Sequence, residues 1–83
     1  MNQEVYEITN IERHSGLTEA DSMRLGRRVI PTTMYVGYRG ALIHEDNHDK
    51  AILTSVITDI NESDSEIEFT TRNTTYTLRK VSE

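Results

Sequence analysis

Eighty-three residues make one small domain, residues 1–83, and a chain this short buries only about 60–65% of the surface that its unfolded form exposes. With 35% hydrophobic residues, no Trp and no Cys, any core must come mainly from Ile, Leu and Val, and disulfide frameworks, thiolate zinc sites and cysteine nucleophiles are excluded. The net charge of −5 disfavours nonspecific nucleic-acid binding, because a phosphate backbone is held by cations. Apolar runs no longer than "MYV", "ALI" and "AIL" and the acidic start "MNQEVYEITN" predict neither a membrane span nor a signal peptide, and so a cytoplasmic protein.

"VYEITNIE" (residues 5–12) alternates as a strand does, with Tyr6 and Ile8 on one face and Val5 and Ile11 on the other. A short helix over 19–25 follows: Thr18 suits the N-cap, Asp21 stands where a capping box puts its acid, and Gly26 suits the stop. "RRVIPTTMYVGYRGALI" is placed as two strands, 28–35 and 41–44. Pro31, which cannot donate a ladder hydrogen bond, belongs at an edge or bend, and Gly37 and Gly40 suit a bulge, tight turn or sharply curved strand.

"KAILTSVITDI" has two readings. As a helix it gathers Ile52, Leu53, Val56, Ile57 and Ile60 on one stripe. As a strand it puts Ile52, Val56 and Ile60 on one face and Leu53 and Ile57 on the other. The density of β-branched residues favours the strand. The C-terminal run "EIEFTTRNTTYTLRKV" reads as a hairpin turning at Arg72-Asn73, where Asn tolerates a left-handed conformation. If Thr71 faces Thr74, Phe69 falls opposite Tyr76 and Ile67 opposite Leu78, so one register gathers four large apolar side chains on one face.

Five to six short strands with one short helix predict a mainly β chain folded as a small antiparallel barrel. Thr54-Ser55-Val56 with Ile60, then Thr71, Asn73, Tyr76 and Leu78, resembles the ending of SH3-like β-barrels found in small uncharacterised bacterial and phage-type proteins, over the C-terminal half of the chain. The resemblance implies an SH3-like barrel and no activity, since that fold hosts unrelated functions. It departs from peptide-binding SH3 domains, because the Trp of their proline-recognition groove has no counterpart.

"HEDNHDK" (residues 44–50) has the composition of a metal site. His44 and His48, however, share a face only in a helix, and the segment lies between two apolar strand-like runs, where it reads as a polar hairpin loop. A calcium loop started at Asp46 would meet Ala51 where Gly is required and Ile57 where the bidentate Glu is required. No metal and no cofactor is therefore expected. With no Gly-x-Ser-x-Gly elbow, phosphate-cradling loop or dinucleotide fingerprint, neither is an enzyme.

Charge is segregated along the chain. Residues 22–43 hold four arginines and no acid, whereas 44–68 hold eight acids against Lys50. The basic stretch supplies the candidate contact residues Arg24, Arg27, Arg28, Tyr35, Tyr38 and Arg39, because Arg and Tyr combine large contact area with hydrogen bonding at interface centres. The competing reading makes the tyrosines strand-face residues and pairs the arginines with the acidic block. The expected function is a noncatalytic protein-interaction module with an unidentified protein partner, and the resemblance adds an accessory or regulatory factor of phage or mobile-element type. The alternative is nucleic-acid binding, with arginines on phosphate and tyrosines stacking on bases. No membrane partner is expected, and an exposed edge strand leaves a monomer or a weak homodimer open.

Overall fold

The computed structural model describes residues 4–81. Six strands and one helix follow in order: β1 (Tyr6–Arg13), α1 (Glu19–Arg24), β2 (Arg28–Thr33), β3 (Arg39–His44), β4 (Asn47–Glu62), β5 (Glu66–Thr71) and β6 (Thr74–Lys80). Each strand pairs antiparallel with the next, and β6 returns to β1, closing a barrel in the order β1-β2-β3-β4-β5-β6. Residues 51–60, which admitted two readings, lie wholly within the sixteen-residue β4. Among the described residues no helix is long and apolar enough to cross a membrane.

Inward-facing side chains fill the barrel as alternation requires. Ile8, Val29, Leu42, Ile57, Phe69 and Leu78 are fully buried, with Tyr6, Ile11, Ile52, Ile67 and Tyr76 closing the cluster around them. The β5–β6 register is the predicted one: Ile67 faces Leu78, and Phe69 faces Tyr76 with the rings stacked at 4.9 Å. The turn chemistry differs from expectation. Among the described residues no non-glycine has a positive φ, so Asn73 does not take the left-handed conformation. The turn is held instead by the Thr71 hydroxyl donating to the Thr74 carbonyl and by the Asn73 carbonyl accepting from the His14 amide.

Helix α1 has the predicted capping box: the Thr18 side chain accepts from the Asp21 amide, and the Asp21 carboxylate accepts from the Thr18 amide. Gly26, at φ +84, ends the segment and donates its amide to the Ile8 carbonyl. The helix is fixed to the barrel by an ion pair, in which Arg13 at the end of β1 donates to the fully buried Asp21 at 2.6 and 2.7 Å. The Arg13 guanidinium holds the Asp21 carboxyl well below the usual carboxylate range, and the carboxylate raises Arg13 in turn.

Strict alternation fails where the strands bulge. In β1 the register to β6 slips between Ile8 and Asn10, so Ile11 joins Tyr6 and Ile8 in the core rather than lying opposite them. In β4 the register to β3 slips between the pairs Ala41–Leu53 and Arg39–Val56, and the register to β5 slips between Ile57 and Asp59. Ile52, Thr54 and Ile57 therefore point inward while Leu53 and Val56 point out, which corrects the face assignment expected from period two. Gly40 sits where β3 crosses the first of these bulges. Its amide donates to the Thr54 hydroxyl at 2.9 Å, and a Cβ there would stand 2.8 Å from that oxygen, so only glycine fits without displacement.

"HEDNHDK" is shorter as a loop than its composition implies. Only Glu45 and Asp46 turn, His44 pairs with Asn47, and His48 already belongs to β4. Strand β2 stops two residues short of its expected end, at Thr33, whereas β3 starts two residues earlier than expected, at Arg39, which leaves residues 34–38 to make the connection.

Candidate functional site

The β2–β3 connection turns at Tyr35-Val36-Gly37-Tyr38, with the Tyr38 amide donating to the Tyr35 carbonyl at 3.1 Å. Gly37 has φ +93, as the third residue of a type II turn requires. The turn lies against β4: Gly37 donates to the Ile57 carbonyl and Ile57 donates to the Tyr38 carbonyl, both at 2.9 Å. These bonds fix the backbone but leave the side chains outside. Tyr35 is 64% and Tyr38 63% exposed, and their rings meet edge to face at 6.2 Å.

The bulge in β4 extends this aromatic turn into a surface. Val56 pairs with Arg39 and Leu53 with Ala41, so the extra residue brings Leu53 (57% exposed) and Val56 onto one outer face beside the turn. Val36 is exposed as well, and the pair Ile43–Ala51 continues the apolar strip along the same ladder. Arg39 stands among these groups with its Nε–H donating to the Thr54 carbonyl at 2.9 Å. That bond orients the guanidinium, and among the described residues no carboxylate pairs with it. Exposed apolar side chains scattered singly are ordinary, but a contiguous patch with an aromatic turn and an oriented cation is the composition of a contact surface.

The six candidate residues do not form one patch. Tyr35, Tyr38 and Arg39 come together at the β2–β3 turn. Arg28 opens β2 at its other end, roughly 20 Å away at about 3.3 Å per residue, with Arg27 just before it and Arg24 in the last turn of α1. The arginine end faces the turn of the acidic stretch: the Glu45 amide donates to the Arg28 carbonyl, and Arg27 Nη1 lies 4.0 Å from Asp46. An open hollow of about 250 Å³ is lined by Gly26, Arg27, Arg28, Glu45 and Asp46, so basic and acidic side chains share it. Among the described residues no three His, Asp or Glu side chains converge at metal-binding spacing.

Val36, Leu53 and Val56 were not candidates on sequence. Val36 carried a local signal, lying between two tyrosines beside a turn glycine. Leu53 and Val56 carried none, because a period-two reading puts them on opposite faces. No protein-family model, curated protein or solved structure matches the chain.

Proposed function

We propose that this barrel is a noncatalytic interaction module that binds a protein partner through the outer face built by Tyr35, Val36, Tyr38, Arg39, Leu53 and Val56. The observation that carries the reading is the contiguous exposure of these side chains on a rigid backbone, since a type II turn bonded to β4 presents the tyrosines at little conformational cost. Tyr and Arg at the centre of such a patch are the side chains whose truncation costs an interface most. The resemblance to SH3-like barrels of bacterial and phage-type proteins supports placing the module among accessory or regulatory factors. The Arg24, Arg27 and Arg28 cluster contributes less to the reading, because Glu45 and Asp46 stand beside it and offset its field.

Affinity capture from the native host's lysate tests the assignment, comparing the wild-type chain with a Tyr38→Ala/Leu53→Ser variant. Both substitutions lie on the surface outside the core, so the fold is retained. A specific partner captured by the wild type and lost in the variant supports the proposal, and one retained at full yield overturns it.

A further inference from the structure

The barrel wall is shortest between β1 and β2, where only Tyr6–Val29 and Glu7–Arg28 pair. β2 continues to Thr33 beyond the point where β1 begins, so its outer edge is unpaired by β1 from Ile30 onward. A groove of about 600 Å³ opens beside this edge. Tyr6 and Ile67 from the core reach its floor, Pro31, Met34 and Tyr35 line it, and Glu62 stands at its rim.

The edge is poorly suited to accepting another strand. Glu45 donates to the Arg28 carbonyl across the β2–β3 ladder, so by alternation Pro31 directs its nitrogen away from β3, toward the side that β1 leaves open. That nitrogen has no hydrogen to donate. Recognition in the groove therefore falls to side chains rather than to ladder hydrogen bonds.

The charges select the ligand. Lys80 holds the neighbouring Glu4 at 2.7 Å, but Glu62 has no cationic partner among the described residues. Glu62 also borders a second open cleft that carries Glu66 and Glu68, with Asp64 in the same β4–β5 connection. An apolar floor, an aromatic wall and a negative rim together fit a long aliphatic stem that ends in a cation.

We propose that this groove binds a segment of a partner protein in which a lysine or arginine is flanked by apolar side chains. The stem lies against Pro31, Met34 and Ile67, and the cation sits between Glu62 and the ring of Tyr35. The inference rests on the interaction reading in that its ligand is a protein, and it adds a surface that adjoins the outer face of β3 and β4 and shares only Tyr35 with it.

The test is an NMR titration of the full ¹⁵N-labelled chain with two synthetic nonapeptides, one of repeated Ala-Leu-Lys and one of repeated Ala-Leu-Glu, with oligolysine as a third probe. The Ala-Leu-Lys peptide is expected to shift the amides of Ile30, Thr32, Met34, Tyr35 and Ile67. Its affinity should fall at least tenfold in a Glu62→Lys variant, and the Ala-Leu-Glu peptide should leave the spectrum unchanged. Undiminished binding to Glu62→Lys would overturn the proposal. So would equal binding of oligolysine with shifts spread over residues 62–68, which would be plain charge attraction. Because neither Tyr38 nor Leu53 lines the groove, loss of the lysate partner in the Tyr38→Ala/Leu53→Ser variant together with absent peptide binding to the wild type refutes the groove alone.

Discussion

Replacing Asp21 with Asn keeps the shape of a fully buried side chain and removes its charge. Arg13 then faces an amide where it had donated two charge-assisted bonds at 2.6 and 2.7 Å. Breaking a buried pair on one side costs about 3–5 kcal/mol. The Arg13 side chain is 25% exposed, so water recovers part of that loss and the lower end applies, about 3 kcal/mol. A chain of this size has a total stability of roughly 4–12 kcal/mol, so the loss is a large fraction of it and lowers Tm by roughly 15 °C. Urea unfolding followed by circular dichroism measures it directly. A double variant, Arg13→Met/Asp21→Leu, should recover most of the loss, because no unpaired charge remains. The pH dependence gives a second reading. Since the Asp21 carboxyl is held well below its usual range in the folded state, its contribution is complete above the unfolded value of about 3.9 and disappears as pH falls further. The stability gap between wild type and Asp21→Asn should therefore narrow below about pH 4. A loss under about 1 kcal/mol, or a gap that stays constant from neutral pH to pH 2, would refute the assignment of α1 anchoring to this pair.

Phe69→Ala removes the fully buried ring stacked on Tyr76 and should cost about 3–5 kcal/mol, read as loss of cooperative urea unfolding or a sharply lowered midpoint. Gly40→Ala forces a Cβ toward Thr54 Oγ1 and should cost about 1–3 kcal/mol. Combined with Thr54→Ala the cost should fall short of the sum of the single variants, as a double-mutant cycle by urea unfolding would show. Tyr38→Ala and Leu53→Ser should each change stability by less than about 0.5 kcal/mol in the same assay, as expected for exposed positions that serve binding. With Glu45 and Asp46 beside Arg27 and Arg28, oligonucleotides should show no association at low salt by fluorescence anisotropy. Steeply salt-dependent binding that Arg27→Glu/Arg28→Glu abolishes would establish the nucleic-acid reading instead.

Elements whose signal is local were legible in the sequence. Thr18 and Asp21 announced the helix because a capping box is a four-residue pattern, and the β5–β6 register followed from four large apolar residues that only one alignment could gather. Gly40 marked the site of one bulge, but which residues the bulges bring to which face was not legible. An extra residue in a strand is defined by what lies opposite it, so the slip that brings Leu53 and Val56 onto one face is invisible until Ala41 and Arg39 are known to be their partners. The same limit divided the candidate site. Arg28 and Tyr35 are close in sequence, but an extended strand carries them to opposite ends of a hairpin, while the turn that brings Tyr35 to Tyr38 was marked by Gly37. Glu62 and Tyr6 line one groove although most of the chain separates them, and no spacing rule connects such positions.

The pairing of β1 with β6, which sets Tyr6 opposite Lys80, also orders the events of folding. Every other seam joins strands consecutive in sequence, with short loops to close apart from the α1 crossover, whereas this one closes a loop of nearly the whole chain. During synthesis β1 emerges well before its principal partner, so its edge stays open until β6 has left the ribosome. The hazard of pairing with another chain is therefore concentrated in that interval and ends when β6 docks.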